Sequence, residues 1–166
     1  MNKPVFNSRD FRTVLGCYPT GVCIVTAIGE NNRRLALVVG SFTSISLDPP
    51  LVGFFPDKQS STWPAIEQVG RFCVNVLSVR QLDVCRRFAV RNTDKFGGLS
   101  HDISPSGQPL LSDAIAWIDC VIDRVIEVGD HWLVVGDVQS LGIQNAHSPL
   151  LFCRGGYHDV VALEGG

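Results

Sequence analysis

Hydrophobic positions along this chain of 166 residues recur mainly with the spacing of β-strands, and helical spacing is confined to short stretches. Polar residues at 30–34 interrupt the first apolar region, so residues 22–42 are predicted to form a hairpin. Asp48-Pro49-Pro50 breaks the chain before the next run. The predicted strands are residues 22–27, 51–55, 72–77, 115–128 and 132–141, with short apolar segments at 150–152 and 157–163.

Helical spacing predicts short helices between these strands. They cover residues 9–16 with Ser8 as the cap, residues 64–69 with Pro64 in the first turn, and a segment after Ser78 in which Leu82, Cys85, Phe88 and Ala89 recur. Residues 97–113 lack periodicity and predict a loop. Because the helices and strands do not alternate as in a parallel sheet, the pattern predicts a mainly β fold, a barrel or sandwich with peripheral helices.

Composition narrows the class of protein. Hydrophobic residues make up 45% of the chain and charged residues 18%, which excludes global disorder. The formal net charge of −2 gives no general attraction to nucleic acid or to an anionic membrane. The length predicts one domain over residues 1–166, with a core over about 8–163, and leaves no room for a separate cofactor domain.

The spacing and surroundings of the cysteines indicate a reducing cellular compartment. None belongs to a C-x-x-C pair and most lie in apolar runs, so they are interpreted as small buried hydrophobic residues of a reducing environment. The N-terminus has no apolar export segment, and no apolar stretch approaches the roughly 20 residues of a membrane span. The sequence therefore predicts a soluble, cytoplasmic protein. The six cysteines are Cys17, Cys23, Cys73, Cys85, Cys120 and Cys153.

Familiar catalytic motifs are missing. The chain has no G-x-G-x-x-G after a strand, no G-x-x-x-x-G-K-[ST] and no G-x-S-x-G. Ser100-His101-Asp102 is interpreted as turn polarity, because adjacent residues do not converge as a catalytic triad. No metal site is predicted, since Cys153 and His158 have no second ligand pair and the histidines lack ligand spacing. The four histidines are His101, His131, His147 and His158.

Hydroxyl groups supply the strongest local signal. Residues 41–46 carry four of them where a strand is expected to end, which is either a polar lip for a phosphate or heterocycle or a Ser/Thr-rich turn. Ser60-Ser61-Thr62 precedes the predicted second helix, either as an anion site or as a simple cap. Gly129-Asp130-His131 is expected at a strand reversal, which places His131 at a rim or in an ordinary exposed turn.

Together these segments resemble the flavin reductase-like family, the small NAD(P)H:flavin oxidoreductase components of two-component monooxygenases. The matching blocks occur in family order from about Phe11 to Tyr157. They are Pro19-Thr20-Gly21-Val22 with Val25-Thr26-Ala27, residues 41–52 (SFTSISLDPPLV), residues 72–77 (FCVNVL), Phe88-Ala89, Asp94-Lys95-Phe96, Gly129-Asp130-His131, and Pro149-Leu150-Leu151-Phe152 to Gly156-Tyr157.

The resemblance implies an FMN-binding split β-barrel that acts as a homodimer, uses FMN or FAD with NADH or NADPH, and has a separate monooxygenase partner. The implied flavin contacts are Val38, Gly40, Ser41, Phe42, Thr43, Ser44, Ile45, Ser60, Ser61, Thr62, Lys95 and Phe96. The implied nicotinamide contacts are His131, Arg154, Tyr157 and His158. His131 is also the implied catalytic residue, interpreted as an orienter of the nicotinamide rather than a proton donor.

Residues 36–40 depart from the family pattern, because Ala36-Leu37-Val38-Val39-Gly40 lacks the threonine that commonly precedes the serine. This departure leaves the choice between FMN and FAD open. The predicted reaction is hydride transfer from nicotinamide to flavin, which needs placement rather than a nucleophile or a metal. The alternatives are a flavin-binding electron carrier or sensor without nicotinamide turnover and, disfavoured by the Ser-Phe-Thr-Ser block, a pyridoxamine-phosphate-oxidase-like enzyme.

Overall fold

The structure is a computed structural model that describes residues 5–90 and 95–163. Its helices are α1 (Ser8–Leu15), α2 (Trp63–Val69) and α3 (Leu82–Ala89), with short 3-10 helices at Glu30–Asn32 and Val79–Gln81. Its strands are β1 (Thr20–Gly21), β2 (Cys23–Ile28), β3 (Arg34–Val39), β4 (Thr43–Leu47), β5 (Pro50–Phe54), β6 (Arg71–Val76), β7 (His101–Ile103), β8 (Pro109–Leu111), β9 (Ala116–Val128), β10 (His131–Ile143), β11 (Leu151–Cys153) and β12 (Gly156–His158).

Seven strands form the main antiparallel sheet, in the order β3-β2-β6-β9-β10-β5-β4. Its central strands are buried on both faces. In β2, Val25 packs into one hydrophobic cluster and its neighbour Ile24 packs into another, because successive side chains of a strand point to opposite faces. The sheet therefore needs cover on both sides, and the helices and small strands provide it.

One face of the sheet encloses the Phe54 cluster, which is the larger core. Phe54 meets Trp63 of α2 and Phe72 of β6 edge to face, with ring centroids 5.7 and 5.3 Å apart. All three side chains are almost fully buried. Burying such a side chain stabilises the fold by about 1.5–3 kcal/mol, so this aromatic group fixes α2 against the sheet.

The opposite face carries the Phe88 cluster, in which α3 and β8 cover the sheet. Phe88 and Phe96 meet edge to face at 5.1 Å, and Ile24, Leu111 and Leu150 pack in the same cluster. This packing brings the segment after α3 beside strand β3. Phe96 also faces the cleft described below, so the cluster supports one of its walls.

The structure confirms the predicted mainly β architecture and the 22–42 hairpin but corrects several local predictions. Helix α1 is capped by Asn7 rather than Ser8, since the Asn7 Oδ1 accepts from Arg9 N at 2.8 Å and Asp10 N at 3.0 Å. Residues 43–47 form strand β4 on the edge of the sheet rather than a turn that closes a strand.

The predicted loop over residues 97–113 is also wrong in part, because it contains the paired strands β7 and β8. Their pairing is supported by buried polar side chains instead of an apolar alternation. Asn75 Oδ1 accepts from Leu111 N at 2.8 Å, and the Thr26 hydroxyl donates to the Pro109 carbonyl at 2.6 Å.

Among the described residues, no helix is both long and apolar enough to cross a membrane.

Candidate functional site

An open cleft of about 920 Å³ lies between strand β3, the segment before α2 and the segment that follows α3. A volume of this size is in the range of sites for small molecules and cofactors. The residues that line it are Asn32, Arg33, Arg34, Leu35, Ala36, Leu37, Val38, Asp57, Gln59, Ser60, Ser61, Thr62, Phe88, Ala89, Lys95 and Phe96.

The cleft carries more positive than negative charge. Arg33, Arg34 and Lys95 line it, and Asp57 is the one carboxylate among its lining residues. The guanidinium of Arg34 lies 5.8 Å from the centroid of the Phe96 ring, a distance at which a cation is attracted to the ring face. This arrangement suits an anionic ligand that also presents a flat apolar surface.

Lys95 is anchored at the wall of the cleft. Its Nζ donates to the carbonyl of Phe88 at 2.7 Å, which ties the residue to the last turn of α3. Burial lowers the pKa of Lys95 below its ordinary value, because removing an ammonium group from water disfavours its charged form. An anion bound in the cleft would offset that cost.

Ser60, Ser61 and Thr62 form a hydroxyl-bearing wall of the cleft, which local hydrogen bonds before α2 hold in place. Ser60 Oγ accepts from the backbone N–H groups of Thr62 at 3.3 Å and Trp63 at 3.2 Å. Asp57 Oδ1 accepts from Gln59 N at 2.7 Å. Ser60 therefore stabilises the turn that leads into α2, whose N-cap residue is Thr62 without a side-chain capping bond, and the Ser60 O–H still provides one donor.

His131 sits beside this wall rather than in it. Its backbone forms a bridge with Asp57, and the turn is fixed by Lys58 N donating to the Asp130 carbonyl and Trp132 N donating to the Pro56 carbonyl, both at 3.0 Å. The Lys58 Nζ also donates to the Gly129 carbonyl at 2.6 Å. The strand reversal predicted at His131 is thus observed, next to the segment that carries the cleft hydroxyls.

The imidazole of His131 has a fixed partner. Its Nδ1 lies 2.8 Å from Asp130 Oδ1, and this hydrogen bond lowers the pKa of Asp130 below its ordinary value. With Nδ1 occupied by the carboxylate, Nε2 is the nitrogen left to face a ligand.

The structure brings together part of the implied flavin set. Val38, Ser60, Ser61, Thr62, Lys95 and Phe96 all line the cleft. The other members continue from the end of β3 along the sheet edge and lie outside this lining. Ser41 Oγ accepts from Phe55 N at 2.9 Å, so its hydroxyl ties the segment after β3 to the residue that follows β5. The members outside the lining are Gly40, Ser41, Phe42, Thr43, Ser44 and Ile45.

The implied nicotinamide residues near the C-terminus belong to the β11–β12 hairpin, also outside the lining. Tyr157 Oη accepts from Cys85 Sγ at 3.4 Å and the Tyr157 ring packs on the Phe88 cluster. The hydrogen bond with Cys85, together with burial, raises the pKa of Tyr157 to about 12. His158 Nε2 contacts the Cys153 carbonyl at 3.1 Å, and Arg154 adopts a left-handed backbone with φ of 50°.

The sequence did not point to Arg33 and Arg34 as cleft residues, because they were interpreted as part of a polar turn. It also did not point to Asn32, Asp57 and Gln59. The available signal was the position of Arg33-Arg34 at the start of β3, the strand that leads to Ser41. Asp94, which opens the Asp94-Lys95-Phe96 block, lies outside the described residues. Among the residues that the structure does describe, no group of His, Cys, Asp or Glu could hold a metal ion.

Comparisons with known proteins identify the class to which this antiparallel fold with its cationic cleft belongs. Residues 15–160 match the family model described as "Flavin reductase like domain". The chain therefore belongs to the flavin reductase-like family. Membership confirms the predicted split-barrel fold and the predicted activity, an NAD(P)H:flavin oxidoreductase.

Individual relatives agree with the family. The chain is 52% identical to a flavin reductase of Pseudomonas putida, over 92% of this chain and 90% of that protein. It is 47% identical to the flavin-dependent monooxygenase reductase subunit HsaB of Rhodococcus jostii, over 90% of this chain and 76% of that protein. The solved structure of the Streptomyces globisporus NADH:FAD oxidoreductase SgcE6, in complex with NAD and FAD fragments, superposes with a TM-score of 0.88 at 30% identity, covering 99% of this chain and 100% of that chain.

Proposed function

We propose that the cleft between β3 and the Ser60–Thr62 segment is the flavin site of this reductase. The observation that carries the proposal is the convergence of two chemistries in one cleft. Arg33, Arg34 and Lys95 supply fixed positive charge, and Phe96 with Val38 supplies an apolar wall. A flavin mononucleotide or dinucleotide needs both, because it joins a flat ring to a phosphorylated chain.

The residues present fit that group in detail. Arginine pairs bind phosphate oxygens with paired N–H donors, and the O–H groups of Ser60, Ser61 and Thr62 add neutral donors on the facing wall. Ring contacts with Phe96 and Val38 would exclude water from one face of the flavin. The remaining implied flavin residues, 40–45, extend this surface along the edge of the sheet.

When bound, the flavin supplies the redox chemistry, accepting two electrons and a proton from the nicotinamide. The chain supplies placement. We assign His131 to the nicotinamide, oriented by Asp130 through Nδ1 so that Nε2 faces the ligand. Arg154, Tyr157 and His158 belong to the same proposed nicotinamide surface.

The relatives named as reductase subunits of monooxygenases support a monooxygenase as the protein that receives the reduced flavin.

A homodimer belongs to the same proposal, and it is supported by exposed apolar side chains such as Leu47, Leu141 and Ile143. Light scattering should give about twice the chain mass of 18.1 kDa. A cytoplasmic location is supported by free thiols at all the cysteines.

The direct test of activity is oxidation of NADH or NADPH at 340 nm with excess FMN or FAD. We expect turnover with at least one of the four pairs, above the rate without protein. Tight flavin binding with no turnover in any pair would instead identify a carrier or sensor and contradict the proposal.

The test of His131 is the variant His131→Ala. Because its proposed contact is with the nicotinamide alone, KM for the nicotinamide should rise at least tenfold while KM for the flavin stays within twofold. His147→Ala is a matched control, since His147 lies outside the cleft lining and the strand reversal. Equal increases in both KM values would remove the assigned role.

A further inference from the structure

The cysteines fall into two groups with different chemistry. Cys23, Cys73, Cys85 and Cys120 are buried. Burial raises the pKa of Cys23 and of Cys120 to about 12, so these thiols stay protonated and inert at neutral pH. The prediction of buried cysteines is confirmed for this group. The other group consists of Cys17, which is exposed, and Cys153, which is half-buried.

Cys17 and Cys153 lie side by side although they are far apart in the sequence. Cys17 follows helix α1 and Cys153 ends strand β11. Arg154 N donates to the Gly16 carbonyl at 2.7 Å, which fixes the two backbones against each other. Cys153 Sγ contacts the Gly16 carbonyl at 3.6 Å and the Cys17 carbonyl at 3.7 Å.

These contacts limit how far apart the two residues can be. Standard covalent geometry around the Arg154–Gly16 hydrogen bond keeps the Cα atoms of Cys17 and Cys153 within about 8 Å of each other. Disulfides join Cα atoms that are about 4.4–6.8 Å apart. The upper limit of their separation lies only about 1 Å beyond this range, so a bond between these sulfurs needs at most a small movement of the backbone.

The sulfur of Cys17 points back along α1, where it contacts the Thr13 carbonyl at 3.6 Å. Rotation about its Cα–Cβ bond moves this sulfur among three staggered positions, and an exposed side chain makes such changes in picoseconds to nanoseconds. The position of Cys153 Sγ beside the Cys17 backbone gives it a nearby target.

We propose that Cys17 and Cys153 form a reversible intramolecular disulfide when the protein meets hydrogen peroxide. One thiol sulfur takes an oxygen atom from the peroxide, giving a sulfenic acid and one water. The second thiol attacks that sulfur and releases a second water. In total, two thiols lose two electrons and two protons, and one peroxide becomes two waters.

The oxidant is connected to the reaction of this family. Reduced flavin that leaves the site and meets dioxygen yields hydrogen peroxide, so the protein is exposed to it when no partner takes the flavin. This source rests on the proposed function, whereas the sulfur chemistry does not. Disulfides in a reducing cytosol are transient and sense redox state, which fits a pair at the surface.

The bond has a structural consequence. It joins the end of α1 to the β11–β12 hairpin, which carries Arg154, Tyr157 and His158. A cross-link between residues 17 and 153 also restricts the unfolded chain over most of its length. The oxidised protein should therefore unfold at a temperature several degrees higher than the reduced protein.

The experiment treats the purified, reduced full chain with hydrogen peroxide without flavin, blocks remaining thiols and maps the peptides without reductant. We expect a cross-linked peptide that contains Cys17 and Cys153, reversed by dithiothreitol. Cys17→Ser and Cys153→Ser should each lack it and show no rise in unfolding temperature. Before peroxide, only these two thiols of the native protein should react with a thiol reagent.

Two outcomes would overturn the proposal. One is oxidation of Cys17 or Cys153 to sulfinic acid with no linkage between them. The other is linkage between chains, seen as a dimer on a non-reducing gel that persists in Cys17→Ser. Because peroxide is added directly, neither outcome depends on whether the protein reduces flavin. The 340 nm assay tests that activity separately.

Discussion

Asn75 offers a sharp test of how buried polar side chains hold the strands together. Its side chain is fully buried in β6, where Nδ2 donates to the Ile24 carbonyl at 3.2 Å and to Thr26 Oγ1 at 3.1 Å. Its Oδ1 accepts from Leu111 N at 2.8 Å. The residue therefore joins β6 to β2 and to the small strand β8.

Replacing Asn75 with Ala removes these bonds and leaves buried backbone groups without their side-chain partner. An unsatisfied buried group costs about 1–3 kcal/mol, and each lost hydrogen bond about 0.5–1.5 kcal/mol. We expect Asn75→Ala to lower the free energy of unfolding by about 2–4 kcal/mol. In a chain of this size, that corresponds to a fall in unfolding temperature of roughly 4–16 °C.

The assay is urea unfolding at fixed protein and flavin concentrations, with Gln139→Ala as the control. Gln139 is exposed and its side chain hydrogen-bonds to Asp137, so the loss of that side chain should cost under about 0.5 kcal/mol. Thr26→Val should couple to Asn75→Ala, because the two residues share a hydrogen bond. A loss for Asn75→Ala no larger than that of the control would refute this role.

Two further predictions concern a glycine and a carboxylate. Gly136→Ala would place Cβ 2.6 Å from Phe72 Cζ and 3.1 Å from Cys120 Cβ, so urea unfolding should show a fall in the free energy of unfolding of about 1–3 kcal/mol. Gly21→Ala is the control, because its Cβ meets nothing within 4 Å and its effect should be near neutral. The pKa of Asp130 is lowered from 3.8 by its hydrogen bond with His131, so its carboxylate stays charged at all assay pH values above about 5. Because that charge orients His131, Asp130→Asn should raise KM for the nicotinamide across pH 5 to 8 and leave KM for the flavin within twofold. An unchanged nicotinamide KM in this variant would contradict the assignment.

The sequence pattern predicts the fold well where apolar residues decide the structure. The 22–42 hairpin and the long strands β9 and β10 follow from β-branched runs and one turn between them. The pattern fails at β7 and β8, because their pairing depends on the buried side chains of Asn75 and Thr26, which come from distant strands. It also fails at β4, whose hydroxyl-rich residues suit an exposed edge as well as a turn.

The candidate site is likewise predicted from the sequence only in part. Short blocks in family order point to Val38, the Ser60–Thr62 segment and Phe96, and the structure brings these into one cleft. The positive charge of the arginine pair was not predicted, since Arg33 and Arg34 belong to an ordinary polar turn in the sequence. Only the packing of the segment after α3 against β3 places Lys95 and Phe96 opposite that pair.

If this cleft holds the phosphate of a flavin as proposed, FMN should bind through contacts that riboflavin cannot make. Riboflavin has the same ring but no phosphate. Equilibrium titrations would measure Kd for both ligands with the wild type, with the double variant Arg33→Gln/Arg34→Gln, and with Arg12→Gln as a control on exposed helix α1.

We predict that the double variant weakens FMN binding at least tenfold, about 1.4 kcal/mol, relative to its effect on riboflavin. Loss of charged hydrogen bonds to phosphate accounts for a change of this size. Arg12→Gln should leave both Kd values unchanged. An FMN Kd that the double variant leaves unchanged, or one that changes in step with the riboflavin Kd, would contradict a phosphate site at these arginines.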